Sequence, residues 1–238
     1  NIYVCGNNIW PMVELTEDNS DISDRVVDSC HNMSGEGNAK SPYLVTNIYE
    51  LQAMKYDLSA KYKLVQDIDA NETMHWNNDA GFEPIGKTVH EDGKPFHGHL
   101  DGNGKTIKNL TIRRPETHNV GLFGVIGDDG MVNNLTVEDS QILGNFAVGT
   151  IVGYNKYGNV VNTTVNDVSI NGENLVGGFA GWNNDNSTLF KIKCKNTMVF
   201  GEGSIGGITG ENSGFIVRVH IDNKCAIGEN DIGDICGG

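Results

Sequence analysis

The sequence has little that would suit a membrane or a nucleic acid. It contains no apolar run of about 18 residues, the length that a membrane-spanning helix needs. Only 17 Lys and Arg residues stand against 31 Asp and Glu residues, which gives a formal net charge of −14. Because phosphate groups are bound by clustered cations, nucleic acids and anionic membranes are not expected partners.

Catalytic motifs are also scarce. The sequence has no HExxH motif, and its glutamates are scattered without the pairing that acid/base catalysis requires. We therefore predict no catalytic residue, no cofactor and no enzymatic activity. The chain starts at Asn1 rather than Met, without a basic and apolar leader, which is typical of a mature secreted protein.

Glycine, by contrast, is abundant and regularly spaced, with 31 residues in the chain. A glycine-rich block recurs at about residues 120, 148, 176, 205 and 232. The first glycines of these blocks stand at positions 121, 149, 177, 206 and 233, so successive blocks are 28, 28, 29 and 27 residues apart. A fixed period of this length is typical of solenoid proteins.

Short stretches of alternating apolar and polar residues lie between the blocks. Such period-2 alternation, without helical spacing, predicts an all-β fold, a parallel β-helix or β-solenoid. Equivalent residues of stacked coils would lie about 4.8 Å apart and form inward ladders. One predicted ladder contains Phe123, Ile151, Phe179, Ile208 and Ile235, and another contains Ile142, Ile170, Met198 and Ile227. The alternation predicts Val161, Thr163 and Val165, and then Phe190, Ile192 and Cys194, as further inward residues.

These blocks resemble the GLUG repeat family of secreted microbial surface proteins. The resemblance extends upstream through Pro42–Thr46, Lys61–Asp69, Phe82–Gly86 and Phe96–Ile112, and so covers about residues 42 to 238. It implies a right-handed parallel β-helix, with a short helix over Ile48–Ser59 on the first coil. Proteins of this type serve as adhesins, as stalks and as passive surface modules, so the resemblance alone does not choose a function.

The two ends of the chain differ from the repeats. We divide the chain into an N-terminal extension, residues 1–41, and the β-helix, residues 42–238. The extension begins with a lone strand at Asn1–Cys5, whereas the last block stops about one strand into a coil, which predicts an uncapped end. A lone strand and an open coil together predict head-to-tail association of copies of this chain, as a ring or a filament.

The five cysteines are an odd number, so at least one thiol lies outside any intrachain disulfide. The candidates for cross-links are Cys5, Cys30, Cys194, Cys225 and Cys236. Two lie near the start and two near the end, an arrangement that favours disulfides between the tail of one subunit and the head of the next. Alternatives remain open: an intrachain disulfide such as Cys5 to Cys30, and a buried core thiol at Cys194, which aligns with Val137 and Val165.

Several polar groups deserve comparison with known metal sites. Asp67 and Asp69 lie on the same side of a strand, where they would bind Ca²⁺ or cap a turn, and the turn is the favoured interpretation. The Asp101–Gly104 segment lacks the later glutamate of an EF-hand and reads as a solenoid corner. His97 and His99 share one face, with His90 nearby, but no third ligand is evident. We predict no metal site.

Surface modification and ligand binding leave weaker signals. Asn-x-Ser/Thr sequons, candidate glycosylation sites, occur at Asn32, Asn71, Asn109, Asn134, Asn162 and Asn186. Tyr154, Tyr157 and Trp182 lie near predicted corners and are candidates for stacking on a cell-surface glycan. Arg113–Arg114 is the only adjacent arginine pair for a polysaccharide lyase, and its surroundings are acidic.

The sequence thus favours a non-enzymatic structural protein of a microbial cell envelope. The main hypothesis is head-to-tail self-assembly into a sheath, hoop, surface layer or filament, reinforced by disulfides between subunits. The alternative is an adhesin or carbohydrate-binding β-helix, and the third is a polysaccharide lyase.

Overall fold

The structure, a computed structural model, describes residues 3–5, 8–10, 20–88, 93–222, 227–228, 232–233 and 235–237. The N-terminal elements are β1 (Tyr3–Cys5), β2 (Asn8–Trp10), α1 (Ser20–Asn32), β3 (Tyr43–Val45), α2 (Ile48–Ala53), a 3₁₀ turn (Met54–Tyr56), β4 (Lys61–Leu64), β5 (Ile68–Asp69) and a second 3₁₀ turn (Asn71–His75). The first long strands follow as β6 (His99–Lys108), β7 (Thr111–Arg113), β8 (Phe123–Ile126), β9 (Met131–Glu138) and β10 (Gln141–Leu143).

The remaining strands repeat the same order of short segments. They are β11 (Phe146–Gly149), β12 (Val152–Asn155), β13 (Asn159–Val161), β14 (Thr164–Asn166), β15 (Ser169–Asn171), β16 (Asn174–Gly177), β17 (Ala180–Asn183), β18 (Thr188–Phe190), β19 (Lys193–Lys195), β20 (Met198–Gly201), β21 (Ile205–Gly206), β22 (Thr209–Asn212), β23 (Phe215–Val217), β24 (His220–Asp222), β25 (Ile227–Gly228) and β26 (Ile232–Gly233).

Each coil contributes strands to four parallel sheets, which confirms the predicted β-solenoid. Sheet 1 has 11 strands and runs from β3, β4, β5 and β6 through β9, β13–β14 and β18–β19 to β23–β24. Sheet 2 has the order β7-β10-β15-β20-β25, sheet 3 has β11-β16-β21-β26, and sheet 4 has β8-β12-β17-β22. About four stacked coils result, with the apolar core enclosed between the sheets.

Left-handed backbone at the corners lets the coil turn without breaking the stack. Three corner columns carry it, and asparagine or aspartate is common there because these residues tolerate positive φ. The first corner contains Asn134, Asn162, Lys191 and Arg218, with φ of 54°, 49°, 54° and 59°. The second contains Asn109, Asp139, Asp167 and Asn196, and the third contains Asn119, Ala147 and Leu175.

The first corner overturns part of the predicted alternation. It places two outward residues in succession, so the inward residue before the corner is one position earlier than expected. Val160 and Leu189 are fully buried and pair with each other in register, whereas Val161 and Phe190 are only partly buried. After the corner the period of two resumes: the predicted alignment of Cys194 with Val165 is confirmed, and Cys194 is fully buried.

Two predicted ladders also need correction in register. Phe123 pairs with Val152 rather than lying in the row of Ile151, because the first glycine block has one residue fewer between its glycines. Ile170 pairs with Val199, and the predicted ladder member Met198 points outward with 48% exposure. Both errors arise where a block gains or loses one residue.

The N-terminal extension differs from its prediction. The strand at Tyr3–Cys5 is not alone, because it pairs antiparallel with Asn8–Trp10. The acidic stretch that follows contains a helix, α1, which buries Val26, Cys30 and Met33 in the same core cluster as the first strands. Ser34 then bridges β3, the first strand of sheet 1. The first coil is therefore covered by the extension.

Helix α2 is shorter than predicted from the resemblance. It ends at Ala53, and a single 3₁₀ turn follows rather than a helix that continues to Ser59. Its N-terminus is capped by Asn47, whose side-chain oxygen accepts hydrogen bonds from the backbone N–H groups of Tyr49 and Glu50, each at 3.0 Å. This cap fixes the orientation in which α2 meets the solenoid.

An asparagine ladder runs through the interior beside sheet 4. The side-chain amide of Asn155 donates to Asn183 Oδ1, and that of Asn183 donates to Asn212 Oδ1, each at 2.8 Å. Asn155 and Asn183 are fully buried. Each asparagine follows a glycine block by two residues, so the Gly-x-Asn pattern of the sequence marks a row of buried polar contacts between coils.

Candidate functional site

The most strongly perturbed carboxyl group of the described residues is that of Glu83. Lys55 Nζ lies 2.8 Å from its Oε2, and Lys87 Nζ lies 2.9 Å from its Oε1. Burial alone would raise the pKa of Glu83, but the two ammonium groups outweigh it and lower the pKa to about 2. A carboxylate held ionised by two lysines is unsuited to proton transfer near neutral pH.

The surroundings of Glu83 show that it is a structural clamp. The Gln52 side chain donates to the Glu83 carbonyl at 2.9 Å and accepts from the Glu83 backbone N–H at 2.8 Å. Helix α2 is thereby fixed to the segment that precedes Pro84. Sequence reasoning did not find this contact, because the partners are 31 residues apart and lie outside the repeats.

Acidification is expected to release this clamp. The folded-state pKa of Glu83 is depressed from 4.5 to about 2, so its stabilisation is complete above pH 4.5 and is lost as the pH falls toward 2. With its partial exposure taken into account, the contribution is about 2 kcal/mol. Denaturant unfolding between pH 6 and 2.5 should show a smaller loss of stability in Glu83→Gln than in the unmodified protein; equal losses would contradict the assignment.

The arginine pair proposed for a lyase is partly occupied by structure. Arg114 Nε donates to the Phe82 carbonyl at 3.1 Å, and one terminal nitrogen lies 3.3 Å from the Gly81 carbonyl. Burial lowers the pKa of this guanidinium, although Glu83 raises it. Arg114 therefore fixes a neighbouring loop instead of facing a groove, which removes the observation that favoured a lyase.

The candidate cation ligands serve turns instead. Asp67 Oδ1 accepts from the Thr106 backbone N–H at 2.9 Å. Asp69 Oδ1 accepts from the Asn71 backbone N–H at 3.0 Å and from the Asn109 side chain at 2.9 Å. Asp101 Oδ1 likewise bonds the Asn103 N–H and the Asn134 side chain. These contacts agree with the favoured turn interpretation.

The histidines are directed to separate partners. His97 Nδ1 lies 2.9 Å from the Asp128 carbonyl, and His99 Nε2 lies 2.6 Å from Asn133 Oδ1. His90 lies outside the described residues. Within the described ranges, no group of three or more His, Cys, Asp or Glu side chains is placed to hold a metal ion.

The sequons coincide with the corners of the coil. Asn109, Asn134, Asn162 and Asn186 all have positive φ, and the amides of Asn134 and Asn162 donate to Asp101 and Asn134 at 3.1 and 2.8 Å. A corner Asn, an inward residue and an outward Thr together reproduce the sequon. The amide of Asn32 donates to the Asp28 carbonyl, and the backbone N–H of Asn71 donates to Asp69. The corners thus explain these asparagines structurally, and glycosylation stays a prediction.

The aromatic candidates form a ladder on sheet 4. Tyr154 and Trp182 are paired in register, with ring centroids 4.7 Å apart and an interplanar angle of 21°. One face of each ring is therefore covered by the other ring, which leaves less face for a sugar than two rings side by side would offer. The Tyr154 hydroxyl accepts from the Asn184 amide at 3.1 Å, and Tyr157 is 39% exposed.

The cysteines occupy different environments. Cys30 forms a disulfide within this single chain, and its helix packs against the first coil. Cys194 is a buried thiol, as its alignment predicted, and Cys236 is a half-buried free thiol that bridges Thr209 in the preceding coil. Cys225 and the side chain of Cys5 lie outside the described residues.

An apolar groove of about 600 Å³ lies beside the last described coil. Its lining includes Phe215, Val217, Ile235 and Cys236. Phe215 is 58% exposed, and Val217 and Ile235 are each 44% exposed. Ile235 follows the inward position of Ile208, so its exposure marks a coil whose next neighbour is not present in the described structure.

Comparison with known proteins gives partial relatives. The chain is 39% identical over 126 residues to halomucin from Haloquadratum walsbyi, which covers 50% of this chain and 1% of halomucin. It is 37% identical over 129 residues to an Evansella cellulosilytica protein described as a Gly-rich membrane protein, which covers 52% of this chain and 14% of that protein. The chain resembles small parts of much longer proteins. It matches no known protein-family model, so GLUG membership is not confirmed.

A solved structure supports the fold. A Bacteroides ovatus protein described as an immunoglobulin A1 protease superposes with a TM-score of 0.50 and 16% identity, over 85% of this chain and 73% of that one. At this identity the likeness concerns the β-helix alone. None of the helices in the described part of the chain is long and apolar enough to cross a membrane.

Proposed function

We propose that the chain is a non-catalytic structural module of a secreted or envelope-associated microbial surface protein. The observation that carries this proposal is the use of its polar side chains: coil after coil, they bond their counterparts at corners and in ladders. The carboxyl group with the most perturbed pKa is held in a clamp. The partial relatives, halomucin and a Gly-rich membrane protein, are consistent with a surface role.

The module associates with a second copy of itself through the last coil. The strands β22 to β26 lie at the ends of their sheets and offer backbone groups for pairing. The groove beside them exposes Phe215 and Ile235, which association would remove from water. At the other end, α1 and Ser34 cover the first coil. A tail-to-tail contact between identical surfaces therefore replaces the head-to-tail contact expected from the sequence.

A disulfide between two copies of Cys236 would reinforce this contact. The thiol is half-buried at the groove, where a two-fold axis would bring it close to its symmetry mate. On gels without reductant we expect a dimer band that disappears with reductant and in Cys236→Ser. Cys194→Ser is the matched control, because that thiol lies in the core and should leave the dimer band unchanged.

Two outcomes would contradict the covalent form of association. One is a monomer band with and without reductant. The other is a dimer band that persists in Cys236→Ser, which would place the cross-link at a different cysteine. Mass measurement of the intact protein distinguishes these cases from loss of the protein.

A further inference from the structure

The first corner of the solenoid changes its chemistry along the stack. In two successive coils it is occupied by Asn134 and Asn162, each followed two residues later by an outward threonine. In the next two coils the same positions are occupied by Lys191 and Arg218, which keep the left-handed backbone with φ of 54° and 59°. Sheet 1 fixes this equivalence, because Val161 pairs with Phe190 and Phe190 pairs with Val217, the residues just before each corner.

Long cationic side chains are an unfavourable choice for this backbone conformation. Asparagine tolerates positive φ far better than lysine or arginine does. Residues held in unfavourable regions of backbone space cluster at functional sites. The replacement of asparagine at two consecutive corners therefore indicates that positive charge has a use at this place.

The cations form an array on the outward face of sheet 1. Lys193 lies two residues beyond Lys191, on the strand that pairs with the strand containing His220. Lys191 Nζ and Arg218 Cζ lie 5.4 and 5.6 Å from the centre of the Phe190 ring, which holds both side chains near one another. Neighbouring strands of a parallel sheet are about 4.8 Å apart, so charges from two coils stand side by side.

These charges are not neutralised by neighbours. Lys191, Lys193 and Arg218 are exposed, and none of the ion pairs in the described ranges includes them. Acidic residues lie further along the same strands, at the second corner, where Asp167 stands beside the register pair of Lys195 and Asp222. A local positive surface is thus kept within a chain whose net charge is −14.

We propose that the cation array formed by Lys191, Lys193 and Arg218 binds an extended anionic glycan. The three side chains stand on a sheet face rather than around a cavity, so a small anion would be contacted from one side only. A polymer that carries carboxylates along its length makes several weak contacts at once and gains affinity from their linkage.

Charge density favours a glycan over a nucleic acid. Duplex DNA carries one negative charge per about 1.7 Å, and the acidic remainder of this protein would repel it along its whole length. A uronic-acid polymer carries fewer charges per unit length and can place them against the array with less repulsion elsewhere.

The test is titration of the full chain with polygalacturonate oligomers at low ionic strength. The methyl-esterified form of the same oligomers is the uncharged probe, and single-stranded DNA of equal length is the dense polyanion. The variant Lys191→Asn/Lys193→Thr introduces the residues that the preceding coil has at these positions, Asn162 and Thr164. Its unfolding temperature should be unchanged or higher, and Lys193→Thr alone serves as a second, milder variant.

A charge-matched control comes from the same sheet. Lys61→Gln/Lys63→Gln removes two positive charges from β4, at the opposite end of sheet 1. We expect polygalacturonate to bind, its esterified form not to bind, and the affinity to fall about tenfold in Lys191→Asn/Lys193→Thr, the loss of two exposed charge contacts. The control variant should keep the original affinity.

Three results would overturn the proposal. Absence of polygalacturonate binding at low ionic strength is the first. An equal loss of affinity in the array variant and the β4 control is the second, because it would reflect net charge alone. Tighter binding of DNA than of polygalacturonate is the third. Oligomeric state is measured on the same samples, so failure of tail-to-tail association is seen separately.

Discussion

Gly181→Ala is expected to destabilise the protein by more than about 4 kcal/mol, a loss reserved for severe packing defects. A Cβ atom at this position would lie 2.3 Å from the Ala147 carbonyl carbon and from the Val148 nitrogen. Both are backbone atoms of the adjoining third corner, so neither can rotate away. Gly153 and Gly210 meet Asn119 and Leu175 in the same way. Denaturant unfolding monitored by circular dichroism measures the effect.

Gly104→Ala is the matched control for this substitution. Its Cβ would have no heavy atom within 4 Å, but its φ is +70°. Alanine there suffers only the left-handed backbone, which costs about 1–2 kcal/mol. If the two variants lose the same stability, close approach of backbones is not the reason for the repeated glycine.

Asn183→Ala is expected to cost about 4 kcal/mol, because it orphans two buried amide groups at about 2 kcal/mol each. Asn155 loses the acceptor for its side-chain N–H, and Asn212 loses the donor to its oxygen, both bonds being 2.8 Å long. The Asn155 oxygen has no partner in the described structure, so this ladder has little reserve.

The neighbouring Asn184 gives the comparison for the ladder. It is only partly buried and donates to the Tyr154 hydroxyl at 3.1 Å. Water can replace that bond, so Asn184→Ala should cost about 1 kcal/mol or less. Equal unfolding free energies for the two variants would show that the interior ladder contributes nothing special.

The coil and its period were predictable from sequence, because the same steric requirement recurs every 28 residues or so. Gly181 and its equivalents mark the places where two backbones meet, and spacing alone reveals them. The inward position of Val160 was not predictable from alternation, since a left-handed corner inserts an additional outward residue. A period-2 rule applies only between corners.

The extension was less predictable than the repeats. Nothing near Tyr3 in sequence announces its partner strand, and the helix around Cys30 lies in an acidic stretch that resembles a loop. The clamp on Glu83 joins residues from α2 and from a segment outside the repeats. Such contacts depend on tertiary structure, which a single sequence does not encode in a local pattern.

The candidate surfaces show the same division. The apolar last coil follows from the final glycine block, but the aromatic pair at Tyr154 and Trp182 looked like a sugar platform until ring stacking was seen. The cation array escaped notice because Lys191 and Arg218 lie 27 residues apart. An alignment of the corners within the chain is the signal that identifies them, since asparagine occupies the two preceding coils.

Association through the last coil is the central claim, and sedimentation equilibrium under reducing conditions tests it most directly. Phe215→Thr/Val217→Thr is the variant of choice, because threonine already stands at the register partner of Phe215, Thr188, and has nearly the shape of valine. The unmodified chain is predicted to form dimers in a concentration-dependent manner, and the variant to remain monomeric with its fold intact. A monomer for the unmodified chain at every concentration, or equal dimerisation of both proteins, would contradict the account.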